Sequence, residues 1–288
     1  MNKQSRFVIV GLGLLGGSYA RGLARAGFEH VAAIDLDQSA IDFALQKGYI
    51  QTGLTRDFEA LLRQADYVVF SLYPTTFIHW VEQYGRFLQP GCICTDVSGV
   101  KMGLVERVQA LLPAEVEFIA SHPMAGKELS GVQNAHLVDF APANFLITPT
   151  PRNTPAGIDF ARRLAEALGF ARVHQISPEQ HDRMIGYVSQ LTHAIAVSLM
   201  CAPGAEQFAD YTGDSFRDLT RIARVNAPMW AELFLWNREN LIEEIDGFCQ
   251  RLQALKGHLQ AGRRDSLEEM FRASTAARAA FDQKEKEG

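Results

Sequence analysis

Little in this chain suits a secreted, membrane-spanning or nucleic-acid-binding protein. Its four cysteines (Cys92, Cys94, Cys201, Cys249) include no Cys-x-x-Cys spacing, so they read as buried thiols of a reducing compartment rather than as redox or metal-binding groups. No metal cluster is predicted. No run of about 18 apolar residues occurs, so no transmembrane helix is expected. There is no excess of positive charge either: 33 acidic against 28 basic residues leave a formal net charge of -5, and no field draws in nucleic acid or an anionic membrane. The opening "MNKQSRFVIVGLG" enters a strand at once, from which a signal peptide is not expected and the cytoplasm is the predicted location. Repeats and low-complexity linkers are also missing.

What is present is enough apolar material for a large core. With 288 residues, 47% of them hydrophobic, the chain can bury roughly three quarters of its unfolded surface in one or two domains. Up to about residue 176, the runs "RFVIV", "HVAAID", "DYVVFSL", "CICTDVS", "EFIASH", "ANFLITP" and "ARVHQI" alternate with amphipathic segments. That alternation predicts an α/β fold with a doubly wound sheet. Gly27 and Gly48 stand where two of the helices need a left-handed closing residue. Ser177-Pro178-Glu179-Gln180 then reads as a capping box with proline at the first helical position, opening a region of helix only. Long helical periods cover 179–202, 228–261 and 264–282, and the charged tail "DQKEKEG" is expected to fray. The predicted organisation is a Rossmann-type domain over 1–176 and an all-α domain over 177–288, with the site in the cleft between them. The last two helical segments carry more apolar residues than a small bundle hides, so a homodimer through the helical domain is expected.

Gly11, Gly13 and Gly16 follow the first strand in Gly-x-Gly-x-x-Gly spacing, with Leu14 and Leu15 between them opening a helix. Such a loop gives a tight turn, lets a pyrophosphate approach the backbone and packs helix on strand. Asp35 ends the second strand 22 positions beyond Gly13, where an acid binds the ribose hydroxyl. A carboxylate there repels a 2′-phosphate, and residues 34–46 hold no arginine or lysine, so NAD is the predicted cofactor. Asp35 can equally be a plain turn acid, with Asp37 capping the next helix.

Three further groups suit chemistry at a cofactor crevice. His122 ends an apolar strand and is followed by Pro123-Met124-Ala125-Gly126, a loop small enough for a substrate to lie close. It could serve as a general base or simply bond to the backbone of its loop. His193, on an otherwise apolar helix, reads as a core residue or a ligand. Arg217, Arg221 and Arg224 lie near one helical face, either a solvated stripe paired with Asp214 and Asp218 or a grip for a carboxylate.

Taken in order, "GLGLLGGS", "DVSGVK", "SHPMAGKELSG", "SQLTHAIA" and "FRDLTRIARVNAPMW" resemble the prephenate and arogenate dehydrogenase family of tyrosine biosynthesis, over about residues 6–280. The resemblance implies oxidative decarboxylation of a cyclohexadienol, with hydride passing to NAD and the ring becoming aromatic. It implies that His122 is the catalytic histidine, that Arg221 binds a substrate carboxylate while Asp218 helps hold its loop, and that His193 and Trp230 line the pocket. The family's Asp-x-x-Ser-x-Lys reads Asp96-Val97-Ser98-Gly99-Val100-Lys101 here, so the hydroxyl expected at the serine position either comes from Ser98 or is missing. Gln190 and Thr192 stand where the family often has histidine and proline, and Arg224-Val225 replaces a common serine pair. Glu128 is expected to admit the ammonium of arogenate, unless it is only a surface partner of Lys127. Neither a chorismate mutase region nor a regulatory tail is read in the chain.

Two rival readings stay open. A β-hydroxyacid or imine reductase has a similar build but relies on a different polar set, and "HDRMIGYVSQLTHAIA" holds no lysine. A non-catalytic dinucleotide sensor would keep the glycine loop and need neither His122 nor Arg221.

Overall fold

The computed structural model describes residues 1–287. Strands β1 (Arg6–Val10), β2 (His30–Ile34), β3 (Thr52–Leu54), β4 (Tyr67–Phe70), β5 (Ile93–Asp96) and β6 (Glu117–Phe118) form a parallel sheet in the order β3-β2-β1-β4-β5-β6. Its order reverses between β1 and β4, and ligands of open α/β sheets bind at such a switch point. Helices α1 (Leu14–Arg25), α2 (Gln38–Gln46), α3 (Glu59–Leu62), α4 (Pro74–Tyr84), α5 (Leu104–Leu111) and α6 (Pro155–Leu168) alternate with the strands.

Both faces of the sheet are covered, which is why β1 and β4 read as unbroken apolar runs. Phe7 and Ile9 pack with Tyr19, Leu23 and Phe160 in one core layer. Val8 and Val10 pack with Phe70, Phe77 and Val81 in the other. The ends of α1 and α2 follow expectation, with Gly27 and Gly48 at φ +81° and +66°. Asp37 caps α2 by accepting from the Ser39 amide at 2.8 Å.

The strand read over "EFIASH" breaks at Ile119. Glu117–Phe118 stays in the parallel sheet, whereas β7 (Ala120–Pro123) enters a second sheet, antiparallel to β8 (Asn144–Thr148), which in turn pairs parallel with β9 (Arg172–Gln175). Side chains replace the ladder between β5 and β7: the Ser121 amide donates to Asp96 Oδ1 at 3.0 Å and its hydroxyl to the Asp96 carbonyl at 2.9 Å. Period-2 patterning cannot register that change of partner.

The capping box at Ser177 forms as read, with the Gln180 amide donating to Ser177 Oγ at 3.1 Å. The helix it opens is α7 (Pro178–Ile185), a π-helical turn over Gly186–Leu191 and α8 (Thr192–Met200). Then come α9 (Asp214–Thr220), α10 (Ala227–Trp236), α11 (Arg238–Gln260) and α12 (Arg264–Glu287). The helix predicted over 228–261 is divided at Asn237, whose buried side-chain amide donates to the Asp182 carbonyl at 2.8 Å and to Gln190 Oε1 at 2.7 Å. The charged tail expected to fray continues α12 to Glu287, in keeping with its strong helix formers; Gly288 lies outside the described residues.

The chain forms two compact units, Met1–Asn237 and Arg238–Gly288. Thus α7 to α10 belong to the same unit as the sheets. In the second unit, α11 and α12 leave Ile242, Leu252, Leu259, Phe271 and Phe281 exposed.

Candidate active site

The glycine loop separates two kinds of glycine. A methyl group on Gly16 would lie 1.9 Å from the Gly11 carbonyl oxygen, and one on Gly11 would lie 2.4 Å from the Ser71 carbonyl oxygen. The fold itself demands those two. Gly13 has nothing within 4 Å of the same position, so its bareness serves no internal contact and matches the close approach of a pyrophosphate. Leu14 and Leu15 are half-buried and pack on the first core layer. Asp35 accepts from the Leu12 amide at 2.6 Å and the Asp37 amide at 2.8 Å. It therefore braces the loop, and its remaining lone pairs suit ribose hydroxyls. The residues present fit a dinucleotide.

Beneath the crevice, at the carboxyl end of β5, Lys101 is fully buried. Its ammonium donates to Asp96 Oδ2 at 2.7 Å, to the Ser98 carbonyl at 2.9 Å and to the Ser121 carbonyl at 2.8 Å. All three of its protons are satisfied. Burial pushes the Asp96 carboxyl up and the Lys101 ammonium down, and their mutual attraction opposes both shifts. The clamp ties the turn after β5 to β7, and so sets where His122 stands.

His122 is half-buried on β7, and its Nδ1 lies 2.9 Å from Nε2 of His181. His181 Nδ1 lies 2.6 Å from Asp182 Oδ1, both side chains being fully buried. Asp182 also accepts from the Lys101 amide at 2.9 and 3.1 Å and from the Met102 amide at 2.8 Å. Lost hydration holds His122 well below the usual histidine range, and His181 and Lys101 add to the effect. The same cause takes His181 down to about 2 and Asp182 up to about 6. At neutral pH both imidazoles are thus uncharged and the carboxylate is ionised. A methyl group on Gly99 would stand 3.8 Å from both Cε1 and Nε2 of His122 and 3.7 Å from Leu233, so the far edge of the ring is bordered by a residue with no side chain.

A second cluster lies on the helices and the loop after β7. Arg221, exposed, donates to Glu128 Oε1 at 2.7 Å. The ring of His193 stacks on Trp230 with centroids 3.7 Å apart, and its Nδ1 donates to the Ser189 carbonyl at 2.9 Å. Burial lowers the pKa of His193, while Glu128 and Arg221 act on it with opposite signs. Asn226, which caps α10, donates to the Tyr73 hydroxyl at 3.0 Å. That bond seats α10 by the start of α4, at the carboxyl end of β4.

Among the residues expected at the site, His193, Trp230, Arg221 and Glu128 come together, and Glu128 lies on the loop that leaves His122. The partner of Arg221 is Glu128, not Asp218, which is exposed on α9; Asp214 pairs with Arg217 at 3.5 Å. Ser98 is buried; its carbonyl accepts from Lys101 in the clamp at 2.9 Å while its hydroxyl accepts from the Val100 amide at 3.4 Å, and the His122 edge is bordered by Gly99. Sequence reasoning missed Lys101, His181 and Asp182 as site residues. Their one signal was available: His181 and Asp182 stand four and three positions before Ile185, on the buried face of α7, where a polar pair needs partners.

Residues 19–174 match the model of the prephenate dehydrogenase nucleotide-binding domain, and residues 177–273 match the prephenate dehydrogenase dimerization domain. The chain is 25% identical over 274 residues to the prephenate dehydrogenase of Bacillus subtilis (strain 168), covering 92% of this chain and 72% of that protein. It is 28% identical over 280 residues to the cyclohexadienyl dehydrogenase of Zymomonas mobilis subsp. mobilis, covering 95% and 94%. A crystal structure of the prephenate dehydrogenase from A. aeolicus, in complex with hydroxyphenyl propionate and NAD+, superposes with a TM-score of 0.86 at 31% identity, over 96% of this chain and 98% of that one.

Proposed function

Because this chain belongs to the prephenate dehydrogenase family, we propose that it oxidatively decarboxylates a cyclohexadienol, prephenate or arogenate, in tyrosine biosynthesis, with NAD as cofactor. The product is 4-hydroxyphenylpyruvate from the first and tyrosine from the second. NAD+, when bound over Gly13 and Asp35, supplies the nicotinamide that takes hydride from the hydroxyl-bearing ring carbon.

The observation that carries this reading is His122, a neutral imidazole at the end of β7 with one edge bordered by the bare Gly99. Its role is to accept the hydrogen bond of the ring hydroxyl and polarise it as the carbon is oxidised. Loss of carbon dioxide and aromatisation make the chemistry downhill, so the chain's main task is orientation, which supplies up to about 7–11 kcal/mol in favourable cases. Arg221 holds a substrate carboxylate. Its present partner Glu128 is an exposed-type pair worth about 0–1 kcal/mol, whereas a charge-assisted bond to substrate contributes about 1.5–3 kcal/mol. His193 and Trp230, stacked on each other, wall the pocket. Glu128, once released, faces the end of the substrate that distinguishes a keto group from an ammonium and favours arogenate; Ser98 acts through its carbonyl, which the Lys101 clamp holds at 2.9 Å.

The exposed apolar residues of α11 and α12, together with the match to a dimerization domain, support a homodimer. No single helix among the described residues is long and apolar enough to cross a membrane, and the cytoplasm is the location we propose. Following reduced-nicotinamide absorbance with NAD+ and prephenate, then arogenate, tests the activity; turnover of neither substrate would refute it. The kcat/KM ratio for the two substrates in wild type and Glu128→Gln tests selectivity, and an unchanged ratio removes Glu128 from it.

A further inference from the structure

Which nitrogen of His122 is bare follows from the contacts behind it, given the reading above that this ring accepts a substrate hydroxyl. The chain of contacts starts at Asp182. Its Oδ2 faces the amides of Met102 at 2.8 Å and Lys101 at 3.1 Å, and its Oδ1 faces the Lys101 amide at 2.9 Å. Three backbone N–H contacts on its two oxygens stabilise the ionised form, and a carboxylate only accepts. The 2.6 Å contact from Asp182 Oδ1 to His181 Nδ1 is therefore donated by the histidine. A neutral imidazole has one N–H, so Nε2 of His181 is bare. The 2.9 Å contact between that atom and His122 Nδ1 is then donated by His122. This uses the only proton on the His122 ring and leaves its Nε2 as an acceptor, at the edge beside Gly99.

We propose that His181 and Asp182 are positioning residues which hold His122 in its Nδ1–H form, with Nε2 bare toward the hydroxyl of the substrate. They touch neither substrate nor cofactor. Their effect is to dictate the direction of every hydrogen bond up to the reacting oxygen. If Asp182 carries a proton, each bond in the row inverts: the acid donates to His181 Nδ1, His181 Nε2–H donates to His122 Nδ1, and His122 Nε2–H becomes a donor. A donor at that point withdraws electrons from the hydroxyl oxygen just when oxidation of its carbon needs them. The arrangement also suits the stoichiometry. The aromatic product keeps a hydroxyl group, so its proton is shared with Nε2 and returned, and a row that ends in a fully buried carboxylate needs no exit to water.

The test uses the full chain with Asp182→Asn. Asparagine keeps the volume: with its carbonyl on the Oδ2 side, accepting from the Met102 and Lys101 amides, its NH2 faces His181 Nδ1 and reverses the row, giving up only the 2.9 Å contact of the Lys101 amide with Oδ1. The expected result is a kcat with prephenate or arogenate lower on the order of 10²–10⁴-fold, the upper figure being the cost of a wrong histidine tautomer in serine proteases. KM for both substrates should stay within about threefold. Nitrogen-15 NMR of labelled histidine at neutral pH should show His122 protonated on Nδ1 and bare on Nε2 in the wild type, and the opposite in the variant. A folded Asp182→Asn with kcat within about threefold of wild type overturns the proposal, and so does a wild-type His122 protonated on Nε2. The wild-type spectrum decides even if the variant fails to fold. A wild type inactive on both substrates would sink the family chemistry, while the nitrogen signals would still report the tautomer.

Discussion

Alanine at Gly13 and at Gly16 should separate what the glycine loop does for the fold from what it does for a cofactor. At Gly16 the added carbon would sit 1.9 Å from the Gly11 carbonyl oxygen and 3.1 Å from the Ser71 Cβ. The obstacle is backbone on the strand side and cannot rotate away, so α1 must move off β1. Overpacking of this kind costs about 1–3 kcal/mol and occasionally more. At Gly13 the same carbon meets nothing within 4 Å, and φ is -70°, a value any residue adopts. Reduced freedom of the unfolded chain favours alanine there by about 0.4–1 kcal/mol, and a slightly poorer N-cap offsets a few tenths of that. Net stability should hardly change. The cofactor would feel the difference, because a methyl group at Gly13 stands where a pyrophosphate lies against the amides. Urea denaturation and KM for NAD+ should therefore move independently: Gly13→Ala with a wild-type midpoint and KM raised about tenfold or more, equal to about 1.4 kcal/mol, and Gly16→Ala with a clearly lowered midpoint. If Gly13→Ala binds NAD+ as wild type does, the dinucleotide is not seated on this loop.

Four further outcomes follow from the same geometry. Lys101→Met removes the cation that pairs with the buried Asp96 and should cost about 3–5 kcal/mol, measured by chemical denaturation; a loss under about 1 kcal/mol would mean that Asp96 is protonated already. Arg221→Ala should raise KM for prephenate on the order of tenfold with kcat little changed, and steady-state kinetics showing the reverse split would remove it from carboxylate binding. Gly99→Ser should fold normally, since the added carbon makes only ordinary contacts of 3.7 and 3.8 Å; a lowered melting temperature would contradict that. Acid should destabilise the protein: His122 and His181 have native pKa values below the usual 6.5, so as pH falls below that value the unfolded chain takes up two protons that the native chain refuses. Each costs about 1.4 kcal/mol per pH unit. Asp182, raised from 3.8 to about 6, works oppositely between those values because its native form gains the proton first, and Asp96 shifts in the same direction. The urea midpoint should thus fall as pH drops from neutrality toward about 6 and more gently below it; a flat midpoint would show that the imidazoles are not held neutral.

The local signals were legible where a single residue's physics settles them. The glycine spacing, the Asp37 cap, the Ser177 capping box and the alternation of strand and helix each depend on neighbours within a few positions. Others were ambiguous for the same reason. Asp35 reads as a ribose ligand or a turn acid, and the structure shows why both descriptions came from one residue: its oxygens brace Leu12 and Asp37 and still have lone pairs to spare. The break at Ile119 and the division at Asn237 were missed because periodicity counts apolar positions and takes no account of polar side chains that stand in for backbone partners.

Covalent order and local propensity alone determined that this chain folds as an α/β sheet with a dinucleotide turn, carries a histidine at the end of its fifth strand-like run, and continues as helix. Only the tertiary structure decided what stands behind that histidine. Lys101, His181 and Asp182 lie as far as 81 residues apart in sequence, and each is a charged or polar group that water would have satisfied in the unfolded chain. Burial removed the water and left them one another. The direction of the hydrogen bonds reaching His122 is therefore a property of packing, where desolvation leaves each buried polar group no other partner.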